Sequence, residues 1–247
     1  MHHDNNELRF DGRTVVVVGG SSGIGNGIAQ AFRARGGTVH VWGTRASAAD
    51  YLASEGSDLE GLHYQQVDVS SEDAVAAARL PEALDVLVQA QGIVEYRRAE
   101  FLPATFRRVV DLNLNSVLQC AQRCHPLLKA AGGSMIIVSS VSAYKGAIGN
   151  PAYAASKAGA VSLTRSLGAA WSSDGIRVNG IAPGLVDTKL TRVTTGHPER
   201  LAATLQRIPA GRIGQPADMA NVALFLASPL ASYVVGHTIP VDGGLTA

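Results

Sequence analysis

Tyr153 and Lys157 form the pair of residues whose types and spacing carry the clearest chemistry in this sequence. Residues four positions apart share one face of a helix, so the two side chains can act together. A tyrosine next to an alcohol or carbonyl oxygen can exchange a proton with it, but a free phenol, with a pKa of about 10, is a poor base at neutral pH. A neighbouring ammonium favours the phenolate and lowers that pKa. The pair therefore predicts acid–base chemistry at a substrate oxygen.

A glycine-rich loop, Gly-Gly-Ser-Ser-Gly-Ile-Gly, follows an apolar run and precedes a segment with helical spacing. Glycines in such a loop permit a tight turn and let the backbone approach a pyrophosphate, while the helix N-terminus offers free N–H groups to phosphates. The strand before the loop and the helix after it make this a strong indication of a dinucleotide site. The residues expected to contact the cofactor here are Gly19, Ser21, Ser22, Gly23, Ile24 and Gly25.

Apolar runs of strand length alternate along the chain with longer segments of helical spacing. Several runs are continuous rather than alternating, as in strands buried on both faces. The predicted strands are Thr14–Gly19, Thr38–Trp42, Leu62–Val67, Asp85–Val88, Ser134–Ser139, Arg177–Ile181 and His237–Val241. The main predicted helices are Ile24–Arg35, Thr105–Lys129, Ala152–Trp171 and Gln215–Leu226. The pattern predicts an α/β fold, a single-domain Rossmann-type doubly wound parallel sheet of about seven strands with helices on both faces.

The chain of 247 residues is long enough for one such domain, which we place at residues 11–247. Residues 1–10 form a polar N-terminal tail that includes His2 and His3, and they lack the apolar core of a signal peptide. The irregular, glycine- and proline-containing segment near residues 185–214 is expected to be a mobile helix-and-loop excursion on this domain that closes over the substrate. A plain connection with no role is the alternative interpretation of that segment.

The composition excludes several classes of partner. The net charge is +1 and no basic stripe occurs, so nucleic-acid binding is not expected. No apolar run is long enough to span a bilayer. Cys120 and Cys124 lie one helical turn apart without a cluster of further ligands, which favours apolar packing over a metal site. Because the sequence has no disulfide framework, we expect a cytoplasmic location. Because it has no cluster of ligand residues, we expect no metal.

In the order and spacing of these motifs the chain resembles the short-chain dehydrogenases/reductases, over roughly residues 12–244. The family's first motif is Thr-Gly-x-x-x-Gly-x-Gly, and here Val18 replaces the threonine while every glycine is kept. Ser140 lies thirteen residues before Tyr153, the family's spacing of catalytic serine and tyrosine. The resemblance implies that Ser140 orients the substrate oxygen, and that Asn113 holds a water connecting Lys157 to solvent.

The end of the second predicted strand bears on the choice of cofactor. Enzymes that use NAD commonly carry an acidic residue there to bind the ribose hydroxyls. This chain has Gly43, Thr44 and Arg45 instead, so no acid repels a 2′-phosphate and Arg45 could pair with it. These residues favour NADP(H) and leave NAD(H) open. Two points favour NAD(H): Arg45 could be a solvated loop residue, and position 22 is a serine where many NADP-using relatives carry a basic residue.

Further cofactor contacts are implied by the resemblance. Asp68 and Val69 match the residues that end the third strand beside the adenine, although Asp68 could also be a helix cap. Relatives usually carry Asn-Asn-Ala-Gly after the fourth strand, whereas this chain reads Gln-Ala-Gln-Gly from Gln89, and this is its clearest departure. The remaining contacts that the resemblance implies are Gln91, Gly92, Pro183, Gly184, Val186 and Thr188, together with Tyr153 and Lys157.

The resemblance implies an NAD(P)-dependent oxidoreductase of CH–OH groups, a carbonyl reductase or alcohol dehydrogenase acting on a small-molecule secondary alcohol or ketone. The family also implies a homotetramer. Members similar to 3-oxoacyl carrier-protein reductases and to secondary-alcohol dehydrogenases fit equally well. Two alternatives are a non-catalytic NADP(H)-binding redox sensor and a sugar-nucleotide epimerase or dehydratase. The residues expected to bind the substrate are Ser140, Ser142, Tyr144, Tyr153 and Leu185, and the broader candidate walls include Val94, Tyr96, Ile148 and Leu190–Val193.

Overall fold

A sheet of seven parallel strands forms the centre of the molecule in the computed structural model, which describes residues 6–247. The strands are β1 (Thr14–Val18), β2 (Thr38–Gly43), β3 (His63–Gln66), β4 (Val86–Gln89), β5 (Ser134–Val138), β6 (Arg177–Pro183) and β7 (Thr238–Val241). Their order across the sheet is β3-β2-β1-β4-β5-β6-β7. Every predicted strand is confirmed, with ends that differ by at most two residues.

Helices cover both faces of this sheet, which confirms the predicted doubly wound α/β class. They are α1 (Gly23–Ala34), α2 (Glu72–Ala77), α3 (Pro103–Val110), α4 (Ser116–Ala131), α5 (Pro151–Trp171), α6 (Arg192–Thr195), α7 (Pro198–Leu205) and α8 (Pro216–Ala227). Among residues 6–247, none of the helices combines the length and the apolar character that crossing a bilayer requires.

The four valines at 15–18 in β1 show why the apolar runs are continuous. Successive side chains of a strand point to opposite faces of the sheet. Val15 and Val17 belong to the core between the sheet and α1 and α8, together with Phe32. Val16 and Val18 belong to the core on the other face, against α4 and α5, together with Leu128. Burial on both faces therefore requires an apolar residue at every position.

The prediction of a single α-helix over Thr105–Lys129 is wrong in the middle of that range. The chain forms α3, then a π-helical turn at Asp111–Asn115, and then α4. The wider turn holds Asn113, whose side-chain amide bonds the backbone of Ile93 in both directions. Hydrophobic spacing predicts a continuous helix because it carries no signal for a tertiary contact of this kind.

Two further segments lie outside the sheet. Residues 1–5 of the predicted tail, with His2 and His3, lie outside the described residues, but Phe10 is buried and stacks edge-on against Phe32 at 4.7 Å. The segment 185–214 contains α6 and α7, and a bridge between Val186 and Gly214 closes its base. The tail is therefore shorter than predicted, and the irregular segment is a small helical excursion.

Strand order reverses between β1 and β4, and this position locates the site. β2 and β3 lie on one side of β1, while β4 begins the other half of the sheet. The register pairs Val18 with Trp42 on one side and with Gln89 on the other. The loops that follow these three strands therefore meet at one edge, where open α/β sheets bind their ligands.

Candidate active site

A cleft of about 600 Å³ opens at the carboxyl ends of the strands. The glycine loop and the start of the 185–214 segment both line it, and the two lie close together at Gly23, where a Cβ would lie 3.4 Å from the Thr188 side chain. The residues predicted to bind the cofactor that line it are Gly19, Ser21, Ser22, Gly23, Ile24, Gly25, Thr44, Asp68, Val69, Gln91, Gly92, Tyr153, Lys157, Pro183, Gly184, Val186 and Thr188. Most of the cofactor residues predicted from sequence therefore share one cavity.

The glycine loop has the close packing that a phosphate cradle requires. Gly19 has φ of +73°, and a Cβ on it would lie 2.7 Å from the backbone nitrogen of Gln91. A Cβ on Gly25 would lie 2.2 Å from the carbonyl oxygen of Gly19, at the start of α1. No side chain fits at either position, so loop, strand and helix meet backbone to backbone. The arrangement fits a dinucleotide whose pyrophosphate lies at the N-terminus of α1.

Ser140, Tyr153 and Lys157 come together at the inner end of the cleft. Ser140 lies two residues after β5, at the start of a short 3-10 turn, and its hydroxyl accepts a hydrogen bond of 3.1 Å from the backbone of Ser142. Tyr153 lies in the first turn of α5, and Lys157 one turn later places Nζ 5.8 Å from the centre of the tyrosine ring. Lys157 Nζ donates to the carbonyl of Val138 at 2.9 Å. The helical spacing and the strand end thus bring all three side chains to one place.

The environment of the pair shifts both pKa values. Burial raises the pKa of Tyr153, the hydrogen bond with Ser140 lowers it, and Tyr96 and Glu100 raise it further. Burial lowers the pKa of Lys157 to about 8. The lysine was expected to lower the pKa of the tyrosine, but Lys157 is not among the groups that shift it, and burial of the phenol is the largest cause. Tyr153 is therefore a proton donor here rather than a phenolate.

Asn113 is fully buried behind the cleft, 0% exposed, and it does not line the cavity. Its Nδ2 donates to the Ile93 carbonyl at 2.9 Å and to Ser156 Oγ at 3.1 Å, and Ser156 donates to the Tyr153 carbonyl at 2.8 Å. A Cβ on Gly92 would lie 3.3 Å from Lys157 Nζ and 3.4 Å from Asn113 Oδ1. The asparagine thus connects the loop after β4 to the helix that carries the tyrosine.

The two glutamines after β4 form a chain of amide hydrogen bonds. Gln91 Nε2 donates to Gln89 Oε1 at 2.9 Å and to Ser116 Oγ at 3.2 Å, and Gln89 Nε2 donates to the Val117 carbonyl at 2.8 Å. The longer side chains therefore reach the start of α4 and join it to β4. Gln91 Oε1 is buried and has no hydrogen-bond partner among residues 6–247. The glutamine pair therefore leaves one buried acceptor of the loop after β4 unsatisfied.

Glu100 is a buried acid beside the site that the sequence analysis missed. It is 0% exposed, and its two carboxylate oxygens accept hydrogen bonds from the backbone N–H of Glu95 at 2.9 Å and of Tyr153 at 2.8 Å. The second donor is one of the otherwise unpaired N–H groups in the first turn of α5. A lone glutamate in a polar segment gives no sequence signal for such a role.

Residues 18–246 match the family described as enoyl-(acyl carrier protein) reductase. The chain is 36% identical over 245 residues to a 3-oxoacyl-[acyl-carrier-protein] reductase of Chlamydia muridarum, covering 94% of this chain and 97% of that protein. It belongs to the short-chain dehydrogenase/reductase family. Enzymes of this family are NAD(P)-dependent oxidoreductases of CH–OH and carbonyl groups, and this oxidoreductase shares that class.

Two solved structures superpose on this short-chain dehydrogenase along nearly the whole chain. A gluconate 5-dehydrogenase from Burkholderia cenocepacia in complex with NADP and tartrate has a TM-score of 0.89 and 30% identity, covering 99% of each chain. A 7alpha-hydroxysteroid dehydrogenase complexed with NADH and 7-oxo glycochenodeoxycholic acid has a TM-score of 0.88 and 34% identity, covering 98% of this chain and 97% of that one. Both cofactors thus occur among its structural relatives.

The adenosine end of the cleft in this dehydrogenase departs from the sequence prediction at Arg45. Asp68 lines the cleft and accepts hydrogen bonds from the backbone and hydroxyl of Ser70, while Ser71 rather than Asp68 caps α2. Arg45 does not line the cleft, because its guanidinium forms an ion pair of 2.5 Å with Glu55. The free cation expected for a 2′-phosphate is therefore already paired.

The substrate side of the short-chain dehydrogenase also differs in part from expectation. Ser142, Tyr144 and Leu185, which were predicted to contact substrate, do not line the cleft. Tyr144 is 45% exposed on the surface, and the backbone of Leu185 is held by Gly214 at the base of the 185–214 segment. The side chains that close the cleft are Ile93, Tyr96 and Leu190, and the Tyr96 hydroxyl donates to the Leu190 carbonyl at 2.8 Å.

Cys120 and Cys124 of this dehydrogenase are both free and fully buried in the core around α4, in agreement with the apolar packing predicted for them. Burial raises the pKa of each thiol to about 12. Within residues 6–247 there is no group of three or more His, Cys, Asp or Glu residues placed to hold a metal ion.

Proposed function

We propose that this protein transfers hydride between NADP(H) or NAD(H) and a small molecule that carries a secondary alcohol or ketone. The observation that carries the proposal is that Ser140, Tyr153 and Lys157 line the same cleft as the glycine loop. A dinucleotide bound on the loop would direct its reactive ring toward these three side chains.

The bound nicotinamide would supply or accept the hydride, which is chemistry that no protein side chain provides. Tyr153 exchanges the proton with the substrate oxygen, and its raised pKa keeps it protonated for carbonyl reduction. The Ser140 hydroxyl orients that oxygen. Lys157 holds the nicotinamide ribose and supplies positive charge next to the phenol. Asn113 holds this region in place and supports the delivery of protons to Lys157.

The proposed cofactor contacts follow the cleft. The loop from Gly19 to Gly25 binds the pyrophosphate, Asp68 and Val69 flank the adenine, and the backbone near Val186 with the Thr188 hydroxyl binds the carboxamide. The absence of an acid at residues 43–45 favours NADP(H), the cofactor of the gluconate 5-dehydrogenase structure.

The relatives are named for a thioester-linked 3-oxoacyl chain, a sugar acid and a steroid, so their names do not converge on one substrate. The substrate end of the cleft is walled by Ile93, Tyr96 and Leu190 and has no arginine. We propose a neutral ketone, a sugar alcohol or a 3-oxoacyl thioester as substrate.

The test compares the wild-type chain with Tyr153→Phe. We expect the variant to bind NADPH with an affinity within about twofold of wild type and to lose about 10³-fold in kcat, because it lacks the proton donor. NADPH oxidation would be followed at 340 nm with members of the three substrate classes. Substantial turnover by the variant would refute the role of Tyr153. Failure of wild type to bind either cofactor would refute the function.

A non-catalytic NADP(H) sensor on the same fold is the second candidate. The observation that favours it is the altered Gln89–Gly92 segment, in which amide side chains bond to each other and to α4. A sensor would bind cofactor tightly and show no turnover on any of the three classes. The retained serine, tyrosine and lysine favour the enzyme, because a sensor has no need of a proton donor.

We also propose a homotetramer in the cytoplasm. Two groups of apolar side chains are exposed. One group, in or next to α3 and α4, contains Phe101, Leu102, Phe106 and Leu118, and the other, before β7, contains Leu230, Tyr233 and Val235. Surfaces of this kind are suited to contacts between copies of the chain. The two free, buried thiols favour a reducing compartment. Sedimentation of the purified chain would test the tetramer.

A further inference from the structure

The end of β2 carries three hydrogen-bond donors that point to the region where a dinucleotide fold binds the adenosine ribose. They are the backbone N–H groups of Thr44 and Arg45 and the Arg45 guanidinium. An acidic residue at this position binds ribose hydroxyls, and an arginine accommodates a 2′-phosphate. Residues 43–45 contain no acid, so the sequence presents this end as a site for an anion.

In the structure a tyrosine hydroxyl occupies the two backbone donors. Tyr51 Oη accepts hydrogen bonds of 3.0 Å from the Thr44 N–H and 3.1 Å from the Arg45 N–H. A Cβ on Gly43 would lie 2.6 Å from the same oxygen and 2.9 Å from Ser21 Oγ, so the hydroxyl lies directly against the glycine loop. The Tyr51 ring lies under the Arg45 guanidinium, with 4.6 Å between Cζ and the ring centre.

The third donor, the Arg45 guanidinium, pairs with the Glu55 carboxylate through one nitrogen and donates to the Asp50 carbonyl through another. Glu55 Oε2 lies 2.5 Å from an Arg45 guanidinium nitrogen, and Glu55 Oε1 lies 3.3 Å from Lys189 Nζ. Lys189 belongs to the 185–214 segment, so the carboxylate joins that segment to the loop that carries Glu55. The Arg45 and Lys189 cations lower the pKa of Glu55, which keeps it ionised. Arg192 from the same segment donates to the Ser54 carbonyl at 2.8 Å and holds the bridge in place.

Two sets of contacts therefore meet here. The Glu55 carboxylate is an anion between Arg45 and Lys189, and the Tyr51 hydroxyl is an oxygen acceptor for two adjacent backbone N–H groups. A phosphate monoester makes the same kinds of contact, since it carries negative charge and several strong acceptor oxygens. We propose that Glu55 and Tyr51 act as an internal substitute for the 2′-phosphate of the cofactor and thereby limit the preference for NADP(H) over NAD(H). The proposal rests on the cofactor use proposed above.

The consequence differs for the two cofactors. A cofactor with a 2′-phosphate must displace Glu55 from Arg45 before it can pair with the guanidinium, whereas one without the phosphate can leave the contact intact. Removing the carboxylate should therefore strengthen the binding of NADPH only. If Glu55 only braces the loop 45–57, its loss would weaken both cofactors to a similar degree.

The experiment is a fluorescence titration of the purified full-length chain with NADPH and, separately, with NADH. The variants are Glu55→Gln and Tyr51→Phe. The matched control is Glu60→Gln, an exposed carboxylate on the same connection that forms no ion pair with any residue from 6 to 247. We expect Glu55→Gln to lower the Kd for NADPH by about three- to tenfold, and Tyr51→Phe by about twofold or more.

The Kd for NADH should stay within about twofold of wild type in all three variants, which also shows that they fold. Glu60→Gln should change neither the Kd for NADPH nor the Kd for NADH. An unchanged ratio of the two constants in both variants, or an equal weakening of both cofactors, would overturn the internal substitute while leaving the dehydrogenase intact. Failure of wild type to bind either cofactor would instead overturn the proposed function, and this inference with it.

Discussion

The backbone N–H of Tyr153 donates a hydrogen bond of 2.8 Å to the carboxylate of Glu100, which is completely buried. The other oxygen of that carboxylate accepts from the Glu95 N–H, and the Asn150 amide donates to the Glu95 carbonyl at 2.7 Å. An anion at the first turn of a helix is stabilised by the free N–H groups and the helix dipole. Glu100 thus joins the loop after β4 to the start of the helix that carries Tyr153.

We expect Glu100→Gln to destabilise the protein by about 1–3 kcal/mol, because the amide that replaces one oxygen faces an N–H donor. Loss of the negative charge should also lower the pKa of Tyr153, since Glu100 contributes to raising it. The alkaline limb of the pH–rate profile should then move to lower pH. Urea denaturation and the profile of kcat against pH measure the two effects. A purely structural role would change stability and leave the pH profile where it is.

Lys157 illustrates how function opposes stability at this site. Burial lowers its pKa from 10.5 to about 8, so at pH 7 the folded protein holds a buried ammonium that the unfolded chain exposes. Between pH 8 and 10.5 the unfolded state binds more protons at this group than the folded state, so its contribution to stability rises with pH. Below pH 8 the full cost of burial is present.

We therefore expect Lys157→Met to raise the free energy of unfolding at pH 7 by about 1–3 kcal/mol and to abolish turnover. Other groups also titrate above pH 8, so the informative quantity is the difference between variant and wild type in urea denaturation. That difference should shrink from pH 7 to pH 10. A destabilised variant at pH 7 would show that the hydrogen bond from Nζ to the Val138 carbonyl outweighs the cost of the buried charge.

Gly92 lies close to the side chains of Lys157 and Asn113, two of the candidate catalytic residues. The expected methyl group in Gly92→Ala would lie 3.3 Å from Lys157 Nζ and 3.4 Å from Asn113 Oδ1, and the backbone there is not in a left-handed conformation. We expect a loss of about tenfold or more in kcat, with unfolding free energy within about 1 kcal/mol of wild type. Gly146→Ala is the matched control, because its Cβ would meet nothing within 4 Å. Equal activity in both variants would refute the prediction.

The parts of the fold that sequence predicted well are those determined by local pattern. The central strands β1, β4 and β5 are short, largely apolar runs that are buried along their whole length, and the glycine loop after β1 is defined by steric limits within a few residues. The π-helical turn around Asn113 was missed because its cause is a pair of hydrogen bonds to Ile93, twenty residues away. Tertiary contacts of this kind override hydrophobic spacing.

The errors at the site have the same origin. Arg45 was expected to be free because no acid stands beside it in sequence, but Glu55 reaches it from a connection made of short turns that carry no periodic signal. Glu100 likewise gains its role from two backbone N–H groups in separate segments. Residue type and motif spacing identified Tyr153 and Lys157, whereas the partners of charged residues depended on how the loops fold back.

The hydrogen bond from the Tyr96 hydroxyl to the Leu190 carbonyl joins the two walls of the cleft. It is the contact through which the loop after β4 holds the start of the 185–214 segment, and Tyr96 is still 36% exposed. Tyr96→Phe removes this bond and keeps the ring, at a cost of about 0.5–1.5 kcal/mol to the closed arrangement. We expect NADPH to dissociate about two- to tenfold faster, and kcat to rise if release of the product cofactor limits turnover. Stopped-flow displacement of bound NADPH measures the dissociation rate directly. An unchanged rate would mean that the segment is held by the Glu55–Lys189 bridge and not by Tyr96.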